Sequence, residues 1–91
     1  MSITRAHVVV TGRVQGVCFR SWSESRLSSI GVKGWIKNLS DGSVVAVVEG
    51  ESDKVQLALK ALQSGPSLVQ VDTVQVDYET ATGEFSGFSI R

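Results

Sequence analysis

Ninety-one residues with 42% hydrophobic and 20% charged content describe one globular domain built on a single core, and exclude a disordered or fibrous chain. Nine basic residues balance nine acidic ones, which argues against a nucleic-acid partner but leaves room for one concentrated anion site. Cys18 is the only cysteine, no leader-like segment opens the chain, and the longest apolar run, 44–48, is far too short for a bilayer; a cytoplasmic protein with no membrane association is expected.

Residues 3–12 alternate loosely and include Val8-Val9-Val10, the pattern of a central strand covered on at least one face. His7, the only histidine, reads as an ordinary strand residue, because no second ligand or acid stands at a recognisable spacing. The chain then runs Gly12-Arg13-Val14-Gln15-Gly16-Val17-Cys18-Phe19-Arg20. A strand, a glycine-bearing loop and a helix start together make an anion site, since the first turn leaves backbone N–H groups unpaired and the helix dipole adds positive charge. The backbone of Gln15, Gly16, Val17, Cys18, Phe19 and Arg20 is the expected cradle, and the Arg20 guanidinium supplies a forked donor matched to phosphate.

From Arg20 the pattern turns helical, with Phe19, Trp22, Ser23, Arg26, Leu27 and Ile30 on one face and Gly31 as the stop. Residues 32–38 read as a strand, Ser40-Asp41-Gly42-Ser43 as a turn, and 44–49 as the returning strand of a hairpin that ends at Gly50. Trp35 is expected to pack in the core or at an edge beside the site, and Trp22 to pack on its helix. Asn38 closes the first hairpin strand, and on its own it reads as a turn-initiating residue that caps local backbone.

A second helix opens at Glu51-Ser52-Asp53, with Asp53 and Gln56 spaced as a capping box, and carries Val55, Ala58, Leu59 and Leu62 as its apolar stripe. Gly65-Pro66 ends it. A last pair of strands, 68–78 and 85–90, flanks a turn near Thr82-Gly83. The valines change face between Val71 and Val74, which predicts a bulge or bend near Asp72-Thr73. The order β-α-β-β-α-β plus a terminal strand predicts a single α+β domain over 1–91. Its fold would be a ferredoxin-like sandwich, an antiparallel sheet with two helices on one face. In that layout the first loop lies at one end of the sheet, within reach of the end of the 32–38 strand.

The block from Gly12 to Arg20 is followed by Gly31-Val32-Lys33-Gly34-Trp35-Ile36-Lys37-Asn38, then Asp41-Gly42, Glu49-Gly50, Gly65-Pro66 and Phe88-Ser89-Ile90. In order and spacing these residues resemble the acylphosphatase family over nearly the whole chain. The resemblance implies hydrolysis of a small-molecule acyl phosphate to a carboxylate and inorganic phosphate, with no metal and no cofactor. It implies that Arg20 binds the phosphate and that Asn38 orients the attacking water. A monomer is expected. Cys18 stands where many members carry glycine, and Arg26 where they carry a small residue.

The implied chemistry suits the residues. An acyl phosphate expels a carboxylate whose conjugate acid has a pKa of about 4, so no general acid is needed, and the candidate site offers neither a carboxylate pair nor a histidine. A thiol phosphatase built on Cys18 is disfavoured, because such loops close on their arginine five residues later and here only two positions separate them. An RNA-recognition module of the same element order is disfavoured by the absence of aromatics in 44–49. The remaining alternative is a non-catalytic regulatory domain of this fold that binds phosphate or another anion without turnover.

Overall fold

The computed structural model describes residues 2–16 and 18–91. Along the chain lie β1 (Ile3–Arg13), α1 (Phe19–Ile30), β2 (Lys33–Asn38), β3 (Val44–Glu51), α2 (Ser52–Ser64), β4 (Gln70–Glu79) and β5 (Phe88–Ile90). The strands form one sheet in the order β4-β1-β3-β2-β5. The first three neighbouring pairs are antiparallel, whereas β5 runs parallel to β2.

Strand alternation puts Ala6, Val8 and Val10 of β1 and Val44, Ala46 and Val48 of β3 on the face that receives the helices. Phe19 and Leu27 of α1 and Val55, Ala58 and Leu62 of α2 close over them, with Ile36 and Phe88 completing the core. Each large apolar side chain buried this way contributes about 1.5–3 kcal/mol. In the middle of the sheet, β3 is buried on both faces from Val44 to Glu49. On β2, Gly34 and Ile36 face the core, so Trp35 turns to the other face, between the guanidinium of Arg91 and the ammonium of Lys37. The core alternative for Trp35 is corrected accordingly; the residue packs outside the core, next to the edge strand β5.

The helices follow the expected stripes. In α1, Phe19, Ser23 and Leu27 are buried, Trp22 and Ile30 pack at the margin, and Arg26 is exposed. Gly31 closes it, its N–H reaching the carbonyls of Leu27 and Ser28. The predicted capping box at α2 does not form. That helix starts at Ser52, so Asp53 lies inside the first turn and accepts the neighbouring Lys54 N–H, while Gln56 donates to the Tyr78 hydroxyl at 3.0 Å. Gly50 does end the hairpin, whose last pair is Lys33 with Glu49, while β3 itself runs on to Glu51 because β1 begins early enough to pair with it there.

The bulge lies where the valine pattern predicts it. Thr11 faces Thr73 but Gly12 faces Val71, which leaves Asp72 as the extra residue and lets Val71 and Val74 both pack against the core. Gly12 fits here at φ 127°, and a Cβ at this position would run into the Gln70 carbonyl.

The all-antiparallel sheet and the pairing of the last two strands are corrected. β4 and β5 occupy opposite edges, and β5 adds to the free edge of β2, where Gly34 N–H donates to the Gly87 carbonyl and Arg91 N–H to that of Ile36. The connecting loop is anchored on the way. Buried Glu49 accepts the N–H groups of Thr82 and Gly83 at 3.1 and 2.8 Å, and Phe85 lies under the Arg5 guanidinium.

Candidate active site

Where the chain leaves β1, Val14 turns inward and is buried, and Gly16 and Cys18 are exposed. Cys18 occupies the N-cap of α1 in the left-handed region, at φ 61° and ψ 23°, and makes no side-chain cap bond. The first helical hydrogen bond runs from Trp22 N–H to the Cys18 carbonyl at 3.0 Å. The N–H groups of Phe19, Arg20 and Ser21 therefore precede the helical ladder, with no acidic side chain in the first turn to neutralise them.

That helix start opens into a cavity of about 320 Å³ lined by Val14, Gly16, Cys18, Phe19, Arg20, Ser21, Asn38 and Ile90. Arg20 is half-buried in its wall and forms no ion pair among the described residues. None of the lining residues is acidic. An arginine spared a carboxylate at the mouth of a helix dipole is set for an external anion.

Asn38 reaches the same cavity from the end of β2, opposite Val44. Its Oδ1 is buried and has no hydrogen-bond partner among the described residues. A buried acceptor left in that state costs about 1–3 kcal/mol. The turn-capping role that the residue type alone suggests falls instead to Asp41, whose Oδ1 accepts the Ser43 hydroxyl at 2.6 Å and the Ser43 N–H at 2.9 Å. Those two bonds, the hydroxyl first, hold the Asp41 carboxyl below its ordinary value.

Of the predicted site residues, Gly16, Cys18, Phe19, Arg20 and Asn38 line one cavity. Val17 falls outside the described residues. Gln15 does not line the cavity; its side chain turns away to donate to the carbonyls of Leu39 and Ser43, each at 2.8 Å. The residue readings had not foreseen Ile90, which arrives only because β5 pairs with β2, or Ser21, which a count of one past Arg20 in the first helical turn could have found. His7 pairs across the sheet with Val47 and Asp77 and is not part of the cavity. Trp22 stacks on Phe19, with ring centroids 6.2 Å apart.

Comparison with known proteins adds three observations. The family model described as Acylphosphatase matches residues 6–90. An acylphosphatase of Pelotomaculum thermopropionicum is 48% identical over 99% of this chain and 98% of its own, and one of a Roseiflexus species is 49% identical over 99% and 97%. The crystal structure of acylphosphatase from Bacillus subtilis superposes with a TM-score of 0.92 at 30% identity, covering 97% of this chain and 98% of that one. With family model, near-full-length relatives and fold in agreement, the chain belongs to the acylphosphatase family, and its activity is the hydrolysis of acyl phosphates.

Proposed function

We propose that the cavity at the end of the sheet carries out this hydrolysis, with Arg20 and the backbone N–H groups of the Gln15-to-Arg20 loop holding the phosphoryl group and Asn38 orienting the water. The observation that carries this reading is the meeting, in one cavity, of an arginine with no ion pair and a buried amide oxygen with no hydrogen-bond partner among the described residues. The first is what a phosphate dianion seeks, and the second is an acceptor for a water O–H.

In the reaction, water oxygen forms a bond to phosphorus while the bond from phosphorus to the carboxyl oxygen breaks, and its electron pair leaves on the carboxylate. Because that carboxylate is a weak base, with a conjugate-acid pKa of about 4, it departs without protonation. The catalytic work is then positioning and neutralisation of the equatorial oxygens, which amide donors and one guanidinium supply. Asn38 is too weak a base to keep the water's proton. The proton passes to the phosphoryl oxygens, and the product is dihydrogen phosphate. No lining side chain is required as a general acid, in keeping with a cavity that contains no carboxylate or imidazole.

Phosphate release from benzoyl phosphate, measured with divalent metal chelated, tests the reading. A preorganised donor at such a site is worth about 3–4 kcal/mol of barrier, or about 10²–10³-fold in rate. Arg20→Lys keeps the charge and loses the fork, so its kcat/KM is expected to fall by about that factor. Near-normal turnover in Arg20→Lys removes the arginine from the site. Loss of wild-type turnover on chelation removes the metal-free mechanism.

A further inference from the structure

We propose that the Gln15 side chain is a positioning residue for the hydrolysis, holding the phosphate loop and Asn38 at the separation the reaction needs. The inference rests on the site reading given above and extends it to a side chain that does not line the cavity.

Arg20 and Asn38 come from different elements, and a displacement of about 1 Å between reacting partners costs on the order of 10²-fold in rate. The Gln15 amide nitrogen sits 2.8 Å from the Leu39 carbonyl and 2.8 Å from the Ser43 carbonyl. A primary amide has two N–H bonds, so each carbonyl receives one. The same Ser43 carbonyl also accepts the Leu39 N–H at 2.8 Å. Residue 39 is thereby held on both sides, its N–H by Ser43 and its carbonyl by Gln15 at 2.8 Å and, at the longer 3.2 Å, by the Gly42 N–H, and the residue it follows directly is Asn38. The other end of the Gln15 side chain is rooted in the loop that leads to Arg20. Asp41 and Ser43 hold the turn internally, but that bond pair lies wholly within 41–43 and cannot set the distance to the loop. The Gln15 bonds span 24 and 28 residues and join the two halves of the site.

Two substitutions separate this role from simple stabilisation. Gln15→Met keeps the length of the side chain and removes both donors. Gln15→Glu presents a carboxylate to two carbonyl oxygens, which repels them, until protonation returns a single O–H donor. Turnover of benzoyl phosphate and affinity for inorganic phosphate are measured on folded protein, well below each variant's melting temperature. Arg20→Lys and Asn38→Ala are assayed beside them, and Gln15→Met is repeated in the Asn38→Ala background.

The expected result is a fall in kcat of about 10–100-fold for Gln15→Met. Phosphate affinity should stay within about threefold, because loop amides and Arg20 remain. Gln15→Glu should recover turnover relative to wild type as pH falls, and should do so above the range of an ordinary glutamic acid, because the two carbonyls favour its protonated form. In the Asn38→Ala background, Gln15→Met should cost less than about twofold, since a residue acting through Asn38 has nothing left to position. A kcat unchanged in both Gln15 variants, or phosphate affinity lost in step with kcat, overturns the proposal. So does a full second loss in the double variant. If Arg20→Lys and Asn38→Ala also remain active, the site reading falls with it; if those two are inactive while the Gln15 variants are not, the brace alone is wrong.

Discussion

Cys18 is the residue whose backbone and side chain make opposite demands. Its φ of 61° belongs to glycine, and a side chain held there costs about 1 kcal/mol. Cys18→Gly should therefore raise stability by about 0.5–1 kcal/mol, read as a higher denaturation midpoint. Cys18→Ser should keep turnover, since the proposed cradle uses only the backbone here; abolished turnover would make the thiol a nucleophile. At this scale the lining of the cavity was half legible. A local strand, loop and helix-start pattern points to Gly16, Cys18, Phe19 and Arg20, and these do line it. The residue type of Asn38 points to turn capping, and only the family resemblance directed attention to it as a candidate. The Gln15 bridge was beyond reach, because its acceptors are backbone carbonyls 24 and 28 residues away that carry no residue-type signal.

At the scale of elements, close approach of β2 to β3 depends on Gly34. It lies in mid-strand at φ 137°, and a Cβ there would collide with the Val47 carbonyl in the centre of the sheet. A backbone carbonyl in the middle of a ladder cannot yield as a side-chain tip can. Gly34→Ala should thus lower stability by several kcal/mol, of order 3–4, and show as insoluble protein or a sharply lower melting temperature. A melting temperature near that of wild type would mean that β2 and β3 can separate without loss.

Periodicity marked a bulge or bend near Asp72-Thr73, since the valines change face there, and the pairing with β1 makes it a bulge with Asp72 as the extra residue. Periodicity could not say which edge the last strand would join. Three residues of β5 have no pattern that separates β2 from β4, and the choice is made by contacts distant in sequence, at Gly87 and Arg91 and at the Glu49 carboxylate. Ile90 was missed as a cavity residue for that reason.

Over the whole molecule, Arg5 gathers the end of the sheet away from the cavity that Arg20 and Asn38 line. Its guanidinium lies 2.7 Å from Glu84, 2.9 Å from Glu79 and 3.8 Å from Glu49. The Arg5 bond, followed by that of Thr82, holds the Glu84 carboxyl below the ordinary 4.5. Folded Glu84 thus binds protons less readily than unfolded Glu84. Its contribution is present above pH 4.5 and is lost as pH falls through the lowered folded value. Asp41 acts in the same direction from its ordinary 3.8. Melting temperature measured against pH should accordingly fall in acid, and Glu84→Gln should be less stable than wild type near neutrality but converge with it at low pH. A gap that stays constant down to the lowest pH contradicts that linkage.

No helix of the described residues is long and apolar enough to cross a membrane, and the chain's charges sum to zero. With no net charge to set up a broad field, the proposed site relies on one local attraction, in the cavity at the start of α1 that Arg20 and Asn38 line. The most direct measurement of the account is kcat for benzoyl phosphate together with the dissociation constant for inorganic phosphate in Asn38→Ala. The account predicts turnover reduced by about 10²–10³-fold with phosphate bound as tightly as in wild type, because water loses its orienting acceptor while the cradle is intact. Turnover near the wild-type value, or phosphate affinity collapsing with it, would contradict it.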